Sequence, residues 1–338
     1  MRFRKTTENL FSGLFFVFFS SAPCLLQAAN HGADPVTPFI SRNQSPFALI
    51  YGLPLPSTPR LLKNGDSRWI SSFNLSNTIN QQGGTNDRLF IDIETLQFNF
   101  LYDYSFRENW MLRLQLPLIS HSGGILDSAI DGYHQRLRLP EGIRPLYPRD
   151  TIEVDYSLNG NQLLYMDSAQ SSMGDISMQL AWQSTKTEHY ASSYWLSLKL
   201  PTGDSNKLTG SGATDISGWT AMDYQLSASS WFYGQLGLLY MSDTQVLSEI
   251  HRNWALFGNA GISYQPWSKI RLKAQLDFHS ALYNTNIEFL GDVLQLSFGG
   301  SWLISHRHKL DLALAEDIKN EASPDLNFNI SWWISFAD

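Results

Sequence analysis

The chain has 338 residues but a single cysteine, Cys24, and it is poor in charge, with 16% charged residues and a net charge of −7. One cysteine cannot form an internal disulfide or a cysteine metal cluster. A negative net charge argues against a general role in binding nucleic acid. No run of 18 apolar residues occurs after the N-terminal 29 residues, so the remaining chain is not predicted to contain a membrane-spanning helix.

The first 29 residues have the three parts of a secretory signal. Basic residues at 2, 4 and 5 precede an apolar stretch at 10–19, and a plausible cleavage region, LLQAA, follows at 25–29. We predict that residues 1–29 form a signal peptide, whose removal would also remove Cys24. The sequence also has 11 Trp and 14 Tyr. Such aromatic residues are typical of a protein whose outside meets lipid, so export points to the bacterial outer membrane.

The stretch 326–336 has the sequence LNFNISWWISF, and it alternates as a β-strand does. The large apolar residues fall on one face, and amides and hydroxyls dominate the other: Leu326, Phe328, Ile330, Trp332, Ile334 and Phe336 against Asn327, Asn329, Ser331 and Ser335. This pattern and length are typical of one tilted membrane crossing between lipid and a wet lumen. Phe336 corresponds to the aromatic that barrel-assembly machinery is expected to recognise at a C-terminus, but Ala337 and Asp338 follow it, which departs from the usual barrel pattern.

Similar patterns recur along the chain and predict twelve strands. They are 67–79, 88–104, 109–120, 174–186, 190–201, 214–228, 230–242, 252–265, 269–282, 290–304, 309–317 and 326–336. Every odd-numbered connection between them is longer than its even-numbered neighbours, as expected when short periplasmic turns alternate with outer loops. We therefore predict an all-β protein, a single twelve-stranded antiparallel transmembrane barrel over 67–338. In the second strand the apolar face changes, which predicts a bulge near Glu94 and Thr95.

Two regions do not fit the strand pattern. Residues 30–66 are rich in proline, which predicts either a periplasmic leader or, as we favour because of their apolar residues, a segment packed in the barrel mouth. Arg42, Asn43 and Gln44 are its candidate contacts with the lumen. The connection 121–173 is far longer than ordinary loops. Helix-like spacing predicts a short amphipathic helix at 125–138, and the connection either hangs outside or, as we favour, folds over the mouth as a lid.

No catalytic signature stands out, and no cofactor is implied. His279 and Ser280 are adjacent in a strand, so they point to opposite faces and cannot pair as a hydrolase would require. His306 and His308 lie in a basic turn with no second ligand cluster that would suggest a metal. The better candidates are charged residues on predicted lumen faces, although any barrel interior needs paired polar groups. They are Arg113, Lys199, Arg271, Lys273, Asp277, His279, Asp175, Asp215 and Asp223.

Several stretches carry resemblances to known barrels. LKLPTGD at 198–204, GSGATD at 210–215 and GDI at 174–176 resemble strand–loop patterns of barrels proposed to pass hydrophobic or aromatic compounds. More closely, PFISRNQSPF at 38–47, LDSAIDGYH at 126–134 and PRD at 148–150 are similar to a family of exported proteins of Gram-negative bacteria, grouped as a domain of unknown function. This resemblance implies the barrel fold and the outer-membrane compartment, and it assigns no activity.

The leading functional prediction is a narrow channel for passive uptake of a small solute, constricted by loop 121–173. Lumen charges would set its selectivity, and its other contacts would be outer-membrane lipid and the assembly machinery. A second hypothesis is a closed barrel with a structural or partner-binding role at the cell surface. A membrane-lipid enzyme is the third and weakest hypothesis. Neutralising Arg271 and Lys273 separates the first two, because only a channel would change its ion selectivity.

Overall fold

A computed structural model describes residues 36–83, 86–127, 132, 136, 143, 146–318, 324 and 326–336. Twelve of its strands form the barrel: β1 (Ser67–Gly83), β2 (Asp87–Arg107), β3 (Trp110–Ser122), β7 (Ser177–Lys186), β8 (Tyr190–Lys199), β9 (Asp215–Ser227), β10 (Ser230–Met241), β11 (Trp254–Trp267), β12 (Ile270–His279), β13 (Val293–Leu303), β14 (His308–Asp317) and β15 (Leu326–Phe336). Three short strands lie between β3 and β7: β4 (Glu153–Leu158), β5 (Asn161–Met166) and β6 (Gln170–Met173). The predicted signal peptide and most of the predicted helix at 125–138 lie outside the described residues.

The barrel closes where its first strand meets its last. β1 pairs antiparallel with β15 from Ser67 opposite Phe336 to Asn77 opposite Leu326. Each remaining barrel strand pairs antiparallel with its neighbours in chain order, and β2 pairs with β3. All twelve predicted strands are present, so the predicted closed antiparallel barrel is confirmed. The short turns all lie at the end where β1 begins and β15 ends, which we call the short-turn end; the other end is the outer mouth.

The two faces of β15 show how the alternating sequence produces the wall. Phe328, Ile330 and Trp332 are 44 to 49% exposed on the outside, whereas Asn329 and Ser331 are at most 2% exposed on the inside. An outside surface of large apolar groups is what hydrocarbon solvates, and the amides and hydroxyls satisfy one another in the interior. The wall is therefore that of an outer-membrane-type barrel. Among the described residues, no helix is long and apolar enough to cross a membrane.

The predicted bulge near Glu94 and Thr95 is wrong. Pairing between β1 and β2 is continuous through this region, and the shift in the β2–β3 register lies instead near the short turn, between Tyr104 and Arg107. Odd-numbered residues of β2 face the interior along its whole length. What changes is the interior itself, which is polar in the middle of the barrel and apolar at the outer mouth, where Ile91 is buried. Apolar residues of β2 therefore point inward at the outer mouth, where the interior is apolar. They point outward in the middle of the barrel, where the interior is polar.

The long connection between β3 and β7 continues the wall at the outer mouth. β4 pairs with the outer half of β2 and with β5, and β6 pairs with the end of β3. Before this hairpin, the backbone N–H groups of Ile125 and Leu126 donate to Glu94 Oε2 at 3.2 and 3.0 Å. Glu94 belongs to the even-numbered, outward face of β2. The residues just after β3 therefore lie against the outside of the wall.

Candidate functional site

Residues 36–62, which we call the lumen segment, lie inside the barrel. The backbone N–H of Phe39 donates to Gln275 of β12 at 3.0 Å, and that of Ser57 donates to Gln235 of β10 at 3.0 Å. On the other side of the lumen, the Ser72 hydroxyl of β1 donates to the carbonyl of Ile40 at 3.1 Å. Contacts to the inward faces of strands all round the wall require the segment to occupy the space that the wall encloses.

The lumen segment crosses the lumen twice. Val36 packs with aromatic residues of β10 near the short-turn end. The short helix α1 (Pro46–Leu49) lies at the outer mouth, where the ring of Phe47 is 6.2 Å from that of Tyr283. The chain then returns to the short-turn end, where Arg60 pairs with Asp223 at 2.8 Å. The segment is thus a hairpin as long as the barrel.

Arg42, predicted from sequence as a contact with the wall, instead holds the two passes of this hairpin together. Its guanidinium donates to the carbonyl oxygens of Leu49, Tyr51 and Leu53. A partly buried cation bound by three carbonyls joins the two passes of the segment.

The two residues after Arg42 make different contacts. The Asn43 amide lies 3.0 Å from His279 Nε2 of β12, so it joins the segment to the wall. The Gln44 amide donates to the carbonyl of Arg42 at 3.0 Å, which is a contact within the segment. Asn43 and His279 also line a small cavity together with Arg42 and Asp277.

Three of the predicted lumen residues meet in one cluster near the outer mouth. Lys199 Nζ lies 2.7 Å from Asp175 and 3.0 Å from Asp215, and it donates to the carbonyl of Ile50 at 3.0 Å. The Asp215 carboxylate also accepts the N–H of Gly52 at 2.8 Å. The same buried ammonium therefore binds carboxylates of the wall and a carbonyl of the lumen segment.

Two further clusters lie toward the short-turn end, and each has two cations around one carboxylate. Asp103 accepts from Arg68 at 2.6 Å and from Arg113 at 2.6 Å. Asp311 lies 3.3 Å from Lys273 and 3.5 Å from Lys309. These six residues include four that sequence analysis did not select: Arg68, Asp103, Lys309 and Asp311. Each of the four occupies the inward face of an alternating strand, so the same rule that selected Arg113 and Lys273 would have found them.

The other predicted lumen residues also face inward. Arg271 donates to Gln265 at 2.8 Å, and Asp277 accepts from Gln275 at 2.9 Å. His279 faces the lumen segment, while the adjacent Ser280 hydroxyl accepts the N–H of Leu256 at 2.9 Å. The structure therefore keeps His279 and Ser280 on different sides of the strand. The described residues contain no group of three potential metal ligands.

An apolar cluster fills the outer mouth. Phe47 and Tyr51 of the lumen segment pack with Tyr283 and Phe289 of the loop between β12 and β13. β2 adds Ile91, and the long connection adds residues of β4. Burial raises the pKa of Tyr51 to about 12, so its hydroxyl stays neutral. The lumen thus has a polar middle beneath an apolar outer layer.

Comparison with known proteins agrees with this fold. A family model described as "Protein of unknown function (DUF3187)" matches residues 14–336, so the chain belongs to that family. The crystal structure of the COG4313 outer membrane channel from Pseudomonas putida F1 is similar, with 13% identity, 83% of this chain and 99% of that chain covered, and a TM-score of 0.55. The CymD monoaromatic hydrocarbon channel has 14% identity, coverage of 82% and 90%, and a TM-score of 0.41. No curated protein matches the chain.

Proposed function

We propose that this DUF3187 protein is a narrow outer-membrane channel for passive uptake of small solutes. The observation that carries the proposal is the chemistry of the wall around the lumen segment. In the middle of the barrel the inward faces are amides, hydroxyls and paired charges: Ser72, Asn74, Gln97, Asn99, Gln115, Gln179, Ser193, Ser197, Gln235, Asn259, Gln275, Ser297, Asn329 and Ser331. Twelve strands enclose more space than a small barrel fills with its own side chains, and this lining suits water and polar solutes.

The lumen segment is the proposed obstruction. Its contacts with the wall include hydrogen bonds and one ion pair, in which water can replace the protein partners when the segment moves, beside apolar packing at Ile40, Phe47 and Leu55. An obstruction of this kind is displaceable, whereas a barrel filled by apolar side chains of its own wall is not. The similarity to the COG4313 outer membrane channel supports the same function.

We keep a constricting role for loop 121–173, but at the outer mouth only. Val154 and Tyr156 of β4 are fully buried in the apolar cluster there, so this loop borders the entrance. The residues near Ile125 lie outside the wall and contribute nothing to the opening. We further propose that residues 1–29 direct export, with both barrel termini on the periplasmic side.

A closed barrel with a structural or partner-binding role is the second candidate. One observation favours it: the segment is nearly completely buried, held by a hydrogen bond from Lys273 to Thr37 at one end, by the Arg60–Asp223 ion pair at the other, and by aromatic packing at the mouth. In that case the loops at the outer mouth would be the functional surface, and solutes would not pass.

Flux through the refolded chain in liposomes distinguishes the two. We expect passage of small solutes with a sharp upper size limit, and we expect the Arg271→Gln/Lys273→Gln variant to change the ion selectivity, read as a shift in reversal potential. Lys269→Gln, at an exposed position in the turn before β12, is the matched control and should change neither the size limit nor the reversal potential. Absence of flux from protein that is folded and inserted would favour the closed barrel.

A further inference from the structure

The two cation–carboxylate–cation clusters near the short-turn end each carry one positive charge in excess. Asp103 is shared by Arg68 and Arg113, and Asp311 is shared by Lys273 and Lys309. Excess charge that is removed from bulk water has to be balanced by other acceptors. An aromatic ring and neutral oxygens lie around the two clusters and supply part of this balance.

Trp333 of β15 joins the two clusters. The guanidinium of Arg68 lies 5.1 Å from the centre of its ring, and Lys309 Nζ lies 3.6 Å from it. An indole between two cations offsets part of the cost of their burial. The clusters thus form one continuous basic patch across β1, β15, β14 and β12.

The lumen segment supplies further partners: the ring of Phe39, whose centre is 4.1 Å from Lys273 Nζ, and two oxygens of Thr37. Lys273 Nζ donates to the Thr37 carbonyl at 3.1 Å, and Lys309 Nζ contacts the Thr37 hydroxyl. Two neutral oxygens of one residue therefore stand against two ammonium groups. A carboxylate offers the same pair of oxygens with a full negative charge, and charge-assisted hydrogen bonds are roughly twice as strong as neutral ones.

We infer that the Lys273–Asp311–Lys309 cluster binds the carboxylate of a small organic anion, and that Thr37 occupies this site as an internal competitor. Binding of the anion detaches the first residues of the lumen segment. The inference rests on the proposed channel function, and it names small organic anions as the class of solute that the channel takes up. Lys309 is the reachable member of the cluster, with 14% of its side chain exposed.

The site is tested by the accessibility of Val36, which is fully buried next to Thr37. In the Cys24→Ser/Val36→Cys chain, the new thiol is labelled with a water-soluble maleimide while acetate is titrated. Acetamide, which has nearly the same shape and no charge, is titrated in parallel. We expect acetate to raise the labelling rate to a plateau and acetamide to leave it unchanged.

Variants of Lys309 separate anion binding from loosening of the segment. Lys309→Gln should raise the acetate concentration needed for half of the effect by about tenfold, because one charge-assisted bond is lost. Lys309→Arg should restore the response, and Lys269→Gln should leave it unchanged. Equal responses to acetate and acetamide, or a full acetate response in Lys309→Gln, would overturn the inference. If acetate raises the labelling rate but no solute passes, the anion site is supported and the channel function is refuted. If solutes pass but acetate has no effect, the channel function is supported and the anion site is refuted.

Discussion

Deletion of residues 36–60 is expected to raise the conductance of the barrel roughly tenfold, because it removes two chain passes from a lumen that twelve strands enclose. The wall should survive the deletion. Its strand pairing closes without the segment, with β1 joined to β15 along eleven paired positions. Asp223 and Asp215, which lose Arg60 and the Gly52 amide, gain water in the open lumen, so their charges remain solvated.

Single-channel recording in planar bilayers measures this effect. Deletion of the β4–β5 hairpin, residues 153–166, is the matched control, since it shortens the chain at the outer mouth and leaves the lumen segment in place. We expect that control to change the conductance much less than the segment deletion. Equal conductance of the intact and segment-deleted chains, with folding verified by a heat-dependent shift in electrophoretic mobility, would show that the segment does not obstruct the lumen.

Asp103→Asn is expected to produce the largest loss of stability of any single polar substitution in the barrel wall, about 3–5 kcal/mol in the free energy of unfolding. The Asp103 side chain is fully buried, and it neutralises both Arg68 and Arg113. The amide keeps the shape of the carboxylate but leaves two guanidinium groups in the interior without a counter-charge. Cation–π contacts of Arg68 with Trp333 and of Arg113 with Trp195 offset only a part of this cost.

Urea unfolding of the refolded protein in detergent micelles measures the difference. Asp155→Asn is the control, because Asp155 pairs at 3.3 Å with Arg88, whose side chain is 62% exposed. Solvent screens that pair, so its loss should change the free energy of unfolding by at most about 1 kcal/mol. Similar losses in the two variants would mean that Asp103 is accessible to water and that the short-turn end of the lumen is open.

The fold was predictable because lipid and lumen impose opposite demands on alternate residues. In β15 the apolar Ile330 points outward and the polar Ser331 next to it points inward. Similar alternation predicted all twelve strands. The same rule correctly placed Arg113 and Lys273 on inward faces. It failed at Glu94 and Thr95, because an apolar outer mouth inverts the polarity of the inward face without altering the strand.

The course of the lumen segment was not predictable in this way. Its backbone forms no strand, so no periodicity marks which residues face the wall. Its contacts join residues far apart in sequence, as Phe39 and Gln275, which are 236 positions apart. Arg42 illustrates the limit: its charge suggested a partner in the wall, and its partners are carbonyl oxygens that every residue has. The β4–β5 hairpin was missed because each of its strands has only six residues, too few to show a clear alternation.

The central claim is that solutes pass only when the lumen segment moves, and a reversible lock tests it most directly. The Ser41 hydroxyl of the segment and the Asn327 amide of β15 are 2.9 Å apart. Cysteines at both positions, in a chain with Cys24→Ser, allow a short reducible thiol cross-linker to fix the segment to the wall. We predict that cross-linking abolishes solute flux through the otherwise intact chain and that reduction restores it. Unchanged flux through the fully cross-linked protein would contradict the account.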